Sequence, residues 1–208
     1  MIGRLYGLVR VAIAGVILFA IWTQFQGALD DPFTSNVMFW SEFTYQSNLL
    51  VAIVLLVGGL FLVADIQPRH WWDLVRGAMV TFTATTFIVY RFLGEDTRDS
   101  PDGVSYYESW ANDVLHVWIP LVVLLDWIID PPDTRITWKQ ALMWPLYPLA
   151  FCAWSLIRGP TVDWYPYNFL DPDESGGWLG VAAYAAAIVA GLLACSAVVA
   201  MIGNFRRR

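Results

Sequence analysis

The sequence predicts an all-α polytopic membrane protein: one domain spanning residues 1–208, a bundle of six transmembrane helices, both termini cytoplasmic. Three observations carry that prediction. Hydrophobic residues make up 58% of the chain and charged residues only 14%, against about a quarter charged in soluble domains, and mean hydropathy is +0.53. Apolar runs near the ~20 residues needed to cross a hydrocarbon core recur from end to end. Basic residues are divided unevenly between alternate connectors, as a fixed orientation in a bilayer requires.

Each element follows from this pattern. The first span is expected at about 5–25; Arg4 and Arg10 lie near its start, but the apolar run is long and no small-residue cleavage site follows, so it reads as an uncleaved helix. Residues 27–43 form a polar connector with Asp30, Asp31 and Glu42. The second span, about 44–64, begins with an unusually polar turn, Thr44, Gln46, Ser47 and Asn48. After a short connector with Pro68, Arg69 and His70, the third span covers about 74–92, with Thr81, Thr83, Thr85 and Thr86 along it.

Residues 94–111 are acidic and then aromatic. The fourth span, about 112–129, contains His116 and Asp126 and stops at Asp130-Pro131-Pro132-Asp133. Spans five and six are expected at about 140–157 and 178–202, separated by a connector rich in Pro, Gly and aromatic residues. Tryptophans gather near span ends, as interfacial belts require.

Orientation follows from the positive charges. With the N-terminus inside, one face holds Arg4, Arg10, Arg69, Arg76, Arg135, Lys139 and the terminal Arg206, Arg207 and Arg208, while the other holds Arg91, Arg98 and Arg158. The site of residence is therefore the cytoplasmic membrane, with the acidic connectors outside. Cys152 and Cys195 fall inside apolar runs and read as core residues rather than a disulfide. The single lysine, Lys139, sits in a polar loop, which argues against an intramembrane Schiff base.

A histidine one turn inside a span is costly to place there, which makes His116 the leading functional residue. Spans two and four both begin at the outer face, so Thr44 and His116 lie within roughly 10 Å of the same boundary at ~1.5 Å rise per residue. That is the precondition for a nucleophile–base pair. Thr44 with Asn48, and Asn112 with His116, are four apart and share helix faces. Asp113, three before His116, is expected to hold one ring nitrogen, and Arg158 at the outer end of span five to bind a carboxylate or a developing oxyanion. Asn48 and Asn112 are the other expected substrate contacts. Each has a plainer reading: Thr44 as an N-cap, Asp113 as a helix-terminal charge, Arg158 as a snorkelling side chain. One histidine without a nearby Cys or second His makes neither a zinc nor a haem site. No metal, cofactor or nucleic-acid partner is expected, and the oligomeric state is not legible.

Three stretches together carry a resemblance. They are Phe43-Thr44-Tyr45-Gln46-Ser47-Asn48-Leu49-Leu50, then Asn112-Asp113-Val114-Leu115-His116-Val117-Trp118-Ile119-Pro120, then Pro145-Leu146-Tyr147-Pro148 leading to Arg158-Gly159 and Trp164-Tyr165-Pro166-Tyr167-Asn168-Phe169-Leu170-Asp171. In their order and placement the chain resembles bacterial members of the androgen-induced / androgen-dependent TFPI-regulating (ADTRP-like) family of six-span membrane proteins. The resemblance covers essentially the whole chain. It implies a threonine hydrolase that cleaves fatty acid esters of hydroxy fatty acids, with Thr44 as nucleophile, His116 as base and a lipid substrate arriving from the bilayer. The sequence after the threonine, Asp113 and the Trp-Tyr-Pro-Tyr loop depart from the animal members, which bears on substrate more than on chemistry. Two other classes compete: a small transporter or channel, disfavoured by the almost wholly apolar cytoplasmic halves expected for spans two, four and six, and a non-catalytic membrane scaffold.

Overall fold

The computed structural model describes residues 2–93 and 106–205. The expected orientation markers Arg98, Arg206, Arg207 and Arg208, and the acidic run Glu95, Asp96, Asp99 and Asp102, lie outside the described residues. Among the described residues every regular element is helical. Long helices α1 (Ile2–Asp30), α3 (Phe43–Ala64), α4 (Trp71–Leu93), α8 (Leu146–Val162) and α9 (Trp178–Phe205) are joined by short ones: α2 (Asn36–Trp40), α5 (Ser109–Asp113), α6 (Ile119–Ile129) and α7 (Trp138–Ala141). A π-helical turn, Val114–Trp118, welds α5 to α6, and a 3-10 turn, Asn168–Leu170, interrupts the loop before α9.

Five helical segments are long and apolar enough to cross a membrane: Ile2–Asp30, Phe43–Ala64, Ser109–Ile129, Trp138–Val162 and Trp178–Phe205. The sequence reads a sixth span in α4. That helix has 23 residues, roughly 34 Å of length, but Asp73, Arg76 and Arg91 together with Thr81, Thr83, Thr85 and Thr86 make it more polar than those five. Span five also differs from its expected form. Pro145 and Pro148 lack the N–H that a continuous helix needs, and the segment divides into α7, a turn and α8.

Residues with no side chain let the first two long helices meet. A methyl group on Gly7 would sit 2.5 Å from the Gly59 carbonyl oxygen, and one on Gly59 would sit 2.6 Å from that of Gly7. Small residues at such a crossing bring backbones together where lipid supplies no hydrophobic drive. Ala14, Ile17, Val51, Leu55, Val80 and Leu115 fill the core between α1, α3, α4 and the α5–α6 segment. Trp127 of α6 is buried and donates its indole N–H to the Val199 carbonyl of α9 at 3.0 Å.

The apolar stretches expected in spans two, four and six are interrupted at Asp126 of α6, which gathers charged side chains from α1 and α4. Asp126 of α6 accepts from Arg10 Nε at 2.7 Å, from Arg10 Nη2 at 2.9 Å and from the Tyr6 hydroxyl at 2.7 Å. Arg10 also reaches Asp130 at 2.6 Å, and Arg76 pairs with Asp73, Asp126 and Asp130 at 3.1–3.4 Å. Asp126 of α6 and Asp130 at its end thus neutralise Arg10 of α1 and Arg76 of α4 in a single network that ties the three helices together. Exposed apolar side chains remain around the outside, among them Phe19, Leu60, Trp118, Trp154, Leu179 and Met201, as a lipid-facing surface allows.

Candidate active site

Pro120 explains the local geometry at the histidine. It lacks an N–H for the carbonyl of His116, and its ring crowds that carbonyl in a regular α-helix. The chain answers with a wider turn, in which the Ile119 N–H reaches back five residues to Val114. Such single π turns inside helices cluster at functional sites. His116 projects from the middle of this one.

The histidine is held at both ring nitrogens. Nδ1 lies 3.1 Å from the Asn112 carbonyl oxygen, which can only accept. Nδ1 therefore carries the hydrogen, and in the neutral ring Nε2 presents its lone pair. That lone pair faces Thr44: Oγ1 and Nε2 are 3.1 Å apart. The imidazole lies against the Tyr90 ring, with centroids 4.5 Å apart and 18° between planes. Asn112 donates its amide N–H to the Tyr90 hydroxyl at 3.2 Å, so the stacked tyrosine and the helix turn that holds Nδ1 are themselves linked.

Thr44 sits in the first turn of α3 and is buried, at 3% exposure. Glu42 is the N-cap, without a side-chain cap bond, so the cap role that sequence allows for Thr44 is not the one it plays. Asn48, one turn further on, is fully buried and donates to the carbonyl oxygens of Thr44 at 2.9 Å and Leu115 at 3.3 Å. It clamps α3 to the π turn. Among the described residues its Oδ1 is the buried side-chain polar atom without a partner.

Thr44 and His116 open onto a cavity of about 750 Å³, within the roughly 300–1,000 Å³ range of small-molecule sites. Its walls combine aromatic side chains such as Tyr107, Phe151, Trp164 and Phe169 with Thr85, Thr86 and Asn112. The charged side chains on its described lining are all carboxylates: Asp31, Glu42, Glu108 and Glu174. From the far side the loop before α9 contributes Tyr167, whose hydroxyl accepts the Thr44 backbone N–H at 3.3 Å. Burial, reinforced by the charge of Glu42, pushes the Tyr167 phenol up, so it stays protonated at ordinary pH.

Of the six expected site residues, Thr44, His116 and Asn112 share this cavity and Asn48 lies directly behind it. The other two stand elsewhere. Asp113 is exposed and off the cavity lining, and the ring nitrogen expected to meet it is occupied by the Asn112 carbonyl. The wider turn moves a residue three positions back away from the histidine's face. Arg158 also lies off the lining, its guanidinium carbon 5.5 Å above the Trp164 ring. Sequence reading assigned no catalytic or binding role to either tyrosine: Tyr90 reads as an interfacial aromatic near a span end, and Tyr167 lies in the third stretch that carries the resemblance. His70, the other histidine, contacts Thr134 and Gln140 at the opposite end of the bundle. No group of three or more metal-binding side chains occurs among the described residues. Comparison with known protein families, curated proteins and solved structures finds no match.

Proposed function

We propose that this protein is an intramembrane hydrolase of lipid esters that uses Thr44 as nucleophile and His116 as general base. The observation that carries the reading is the 3.1 Å approach of Thr44 Oγ1 to His116 Nε2 on a cavity wall, with Nδ1 fixed as the protonated nitrogen by the Asn112 carbonyl. A hydroxyl within hydrogen-bond reach of a base that is itself oriented by a third group is the arrangement of an activated nucleophile. His116 takes the proton from Oγ1 as that oxygen attacks the ester carbon. The alcohol leaves with the proton, and a water activated by the same imidazole releases the acid from the acyl-threonine.

The three motifs resembling the ADTRP-like family point to the same pair of residues. They make fatty acid esters of hydroxy fatty acids, together with simpler lipid esters, the first substrates to assay. The excess of positive charge on one side supports both termini in the cytoplasm and six crossings, with α4 as the sixth, which sets the cavity in the outer half of the cytoplasmic membrane. A lipid ester then arrives laterally.

A fluorescent fluorophosphonate tests the pair without knowledge of the substrate. Purified wild type is expected to label on Thr44, and both Thr44→Ala and His116→Ala to lose the label while remaining monodisperse in detergent. A folded wild type that stays unlabelled, or a Thr44→Ala variant that labels as wild type does, sinks the reading.

A further inference from the structure

An ester hydrolase needs more than a nucleophile and a base: donors must meet the negative charge that develops on the carbonyl oxygen. The donors expected from sequence are committed elsewhere. The Asn48 amide gives its two hydrogens to the Thr44 and Leu115 carbonyls, and Arg158 lies over Trp164 away from the cavity. Asn112 donates to Tyr90.

Tyr167 is placed differently. Its oxygen accepts the Thr44 backbone N–H at 3.3 Å, which leaves the phenol hydrogen to be given elsewhere. The phenol therefore stands beside the nucleophile with its own O–H available to donate. The loop fixes it there: the Tyr167 ring stacks on Phe169 at 5.1 Å with 7° between planes, and lies 6.2 Å from Phe151 of α8. Leu170, at the end of the 3-10 turn, is fully buried, and Tyr165 packs into the space that Gly159 leaves open, where a methyl group would overlap its ring. Such anchoring on both sides is what a preorganised donor requires. The first-turn position of Thr44 adds the positive end of the 22-residue α3 to the same spot.

We propose that Tyr167 is a catalytic residue whose phenolic O–H donates to the oxyanion of the tetrahedral intermediate, an assignment that rests on reading the cavity as a Thr–His ester hydrolase. In the step, a lone pair of Thr44 Oγ1 forms the bond to the carbonyl carbon and the hydroxyl proton moves to His116 Nε2. The carbonyl π pair retreats onto oxygen, where Tyr167 meets it with a hydrogen bond and transfers no proton. Collapse restores the C=O bond and expels the alkoxide, which takes the proton from His116.

The test uses the full-length protein in detergent with p-nitrophenyl decanoate. A trifluoromethyl ketone of the same chain length reports oxyanion binding, and an ether analogue reports ground-state binding. Tyr167→Phe is expected to lower kcat about 10²-fold, the loss typical of one oxyanion donor, with KM within about twofold. Affinity for the trifluoromethyl ketone falls in parallel and affinity for the ether does not. An unchanged kcat overturns the assignment, as does equal weakening of both inhibitors, which marks a structural role. Should Tyr167→Phe fail to fold, 3,5-difluorotyrosine at position 167 serves instead. Its more acidic phenol is expected to add an alkaline limb to the kcat profile, and a profile identical to wild type overturns the donor role. Wild-type turnover with an unaffected Tyr167→Phe refutes only this assignment. A folded wild type that hydrolyses no ester removes the Thr–His reading and the assignment with it.

Discussion

Asp126→Ala tests the packing logic of the bundle most sharply, because the structure supplies its own control. Asp126 and Arg10 side chains are 11% and 4% exposed and joined by a bidentate contact at 2.7 and 2.9 Å. Tyr6 and Arg76 add donors at 2.7 and 3.4 Å. Removing that carboxylate strands buried guanidinium groups, and losing one partner of a buried pair costs about 3–5 kcal/mol. Asp130 sits 2.6 Å from the same Arg10, a shorter contact, yet its side chain is 39% exposed. Solvent screening holds such a pair to about 1 kcal/mol or less. Its carbonyl, which accepts from Arg76 at 2.5 Å, survives truncation. Asp126→Ala should therefore destabilise far more than Asp130→Ala although the distances alone rank them the other way. Reversible unfolding in mixed micelles, followed by tryptophan fluorescence against SDS mole fraction, measures both. Equal costs, or a cost for Asp126→Ala within about 1 kcal/mol of zero, would refute burial as the deciding variable.

Two further outcomes are expected. Arg158→Ala should leave the ratio of hydrolysis of acid-ended to neutral esters unchanged, since Arg158 lies off the cavity and the described charges on its lining are carboxylates; wild type should itself prefer the neutral ester, and a selective loss of acid-ended turnover in the variant would restore the carboxylate-binding role. Single cysteines at the exposed positions Thr134 and Asp173 should react with a membrane-impermeant maleimide from the cytoplasmic and the outer side respectively, and the reverse pattern would overturn the orientation.

What could be read from the sequence was position along each helix. The start of span two was expected at residue 44 and α3 begins at Phe43. Counting rise from the outer boundary brought Thr44 and His116 to one level, and they lie 3.1 Å apart. Lateral position was not legible, because hydropathy says how far along a helix a residue sits and nothing about which helices adjoin. Facing failed where the helix ceased to be regular. Three-residue spacing put Asp113 with His116 only on the assumption of an α-helix, and Pro120 had already announced the π turn that separates them. The ionic network was hidden by sequence distance: Arg10 and Asp126 lie 116 positions apart, and Arg10 and Arg76 read singly as orientation markers. Tyr167 stood out only as part of an aromatic-rich loop, and its pairing with Thr44 was hidden for the same reason, the two lying 123 positions apart.

The two polar regions of this bundle bear on the choice between chemistry and transport. A conduction path needs polar groups that hand an ion or solute from one side to the other. Here the cavity at Thr44 and His116 and the network at Asp126 are ten residues apart along the α5–α6 segment, roughly 15 Å. Ile119, Pro120 and Val123 lie on that stretch, all buried, and Val51, Leu55, Met79 and Val80 flank the small void beside Arg10 and Asp126. Asp126 is bound to two arginines and a tyrosine, so an ion entering the layer would have to displace contacts of 2.7 Å. The cavity at Thr44 and His116, by contrast, is roomy and ends on a hydroxyl already paired with an oriented imidazole. A large chamber separated by an apolar layer from a locked ionic network suits the proposed reaction site. It is a poor fit to a pathway that must alternate between two sides.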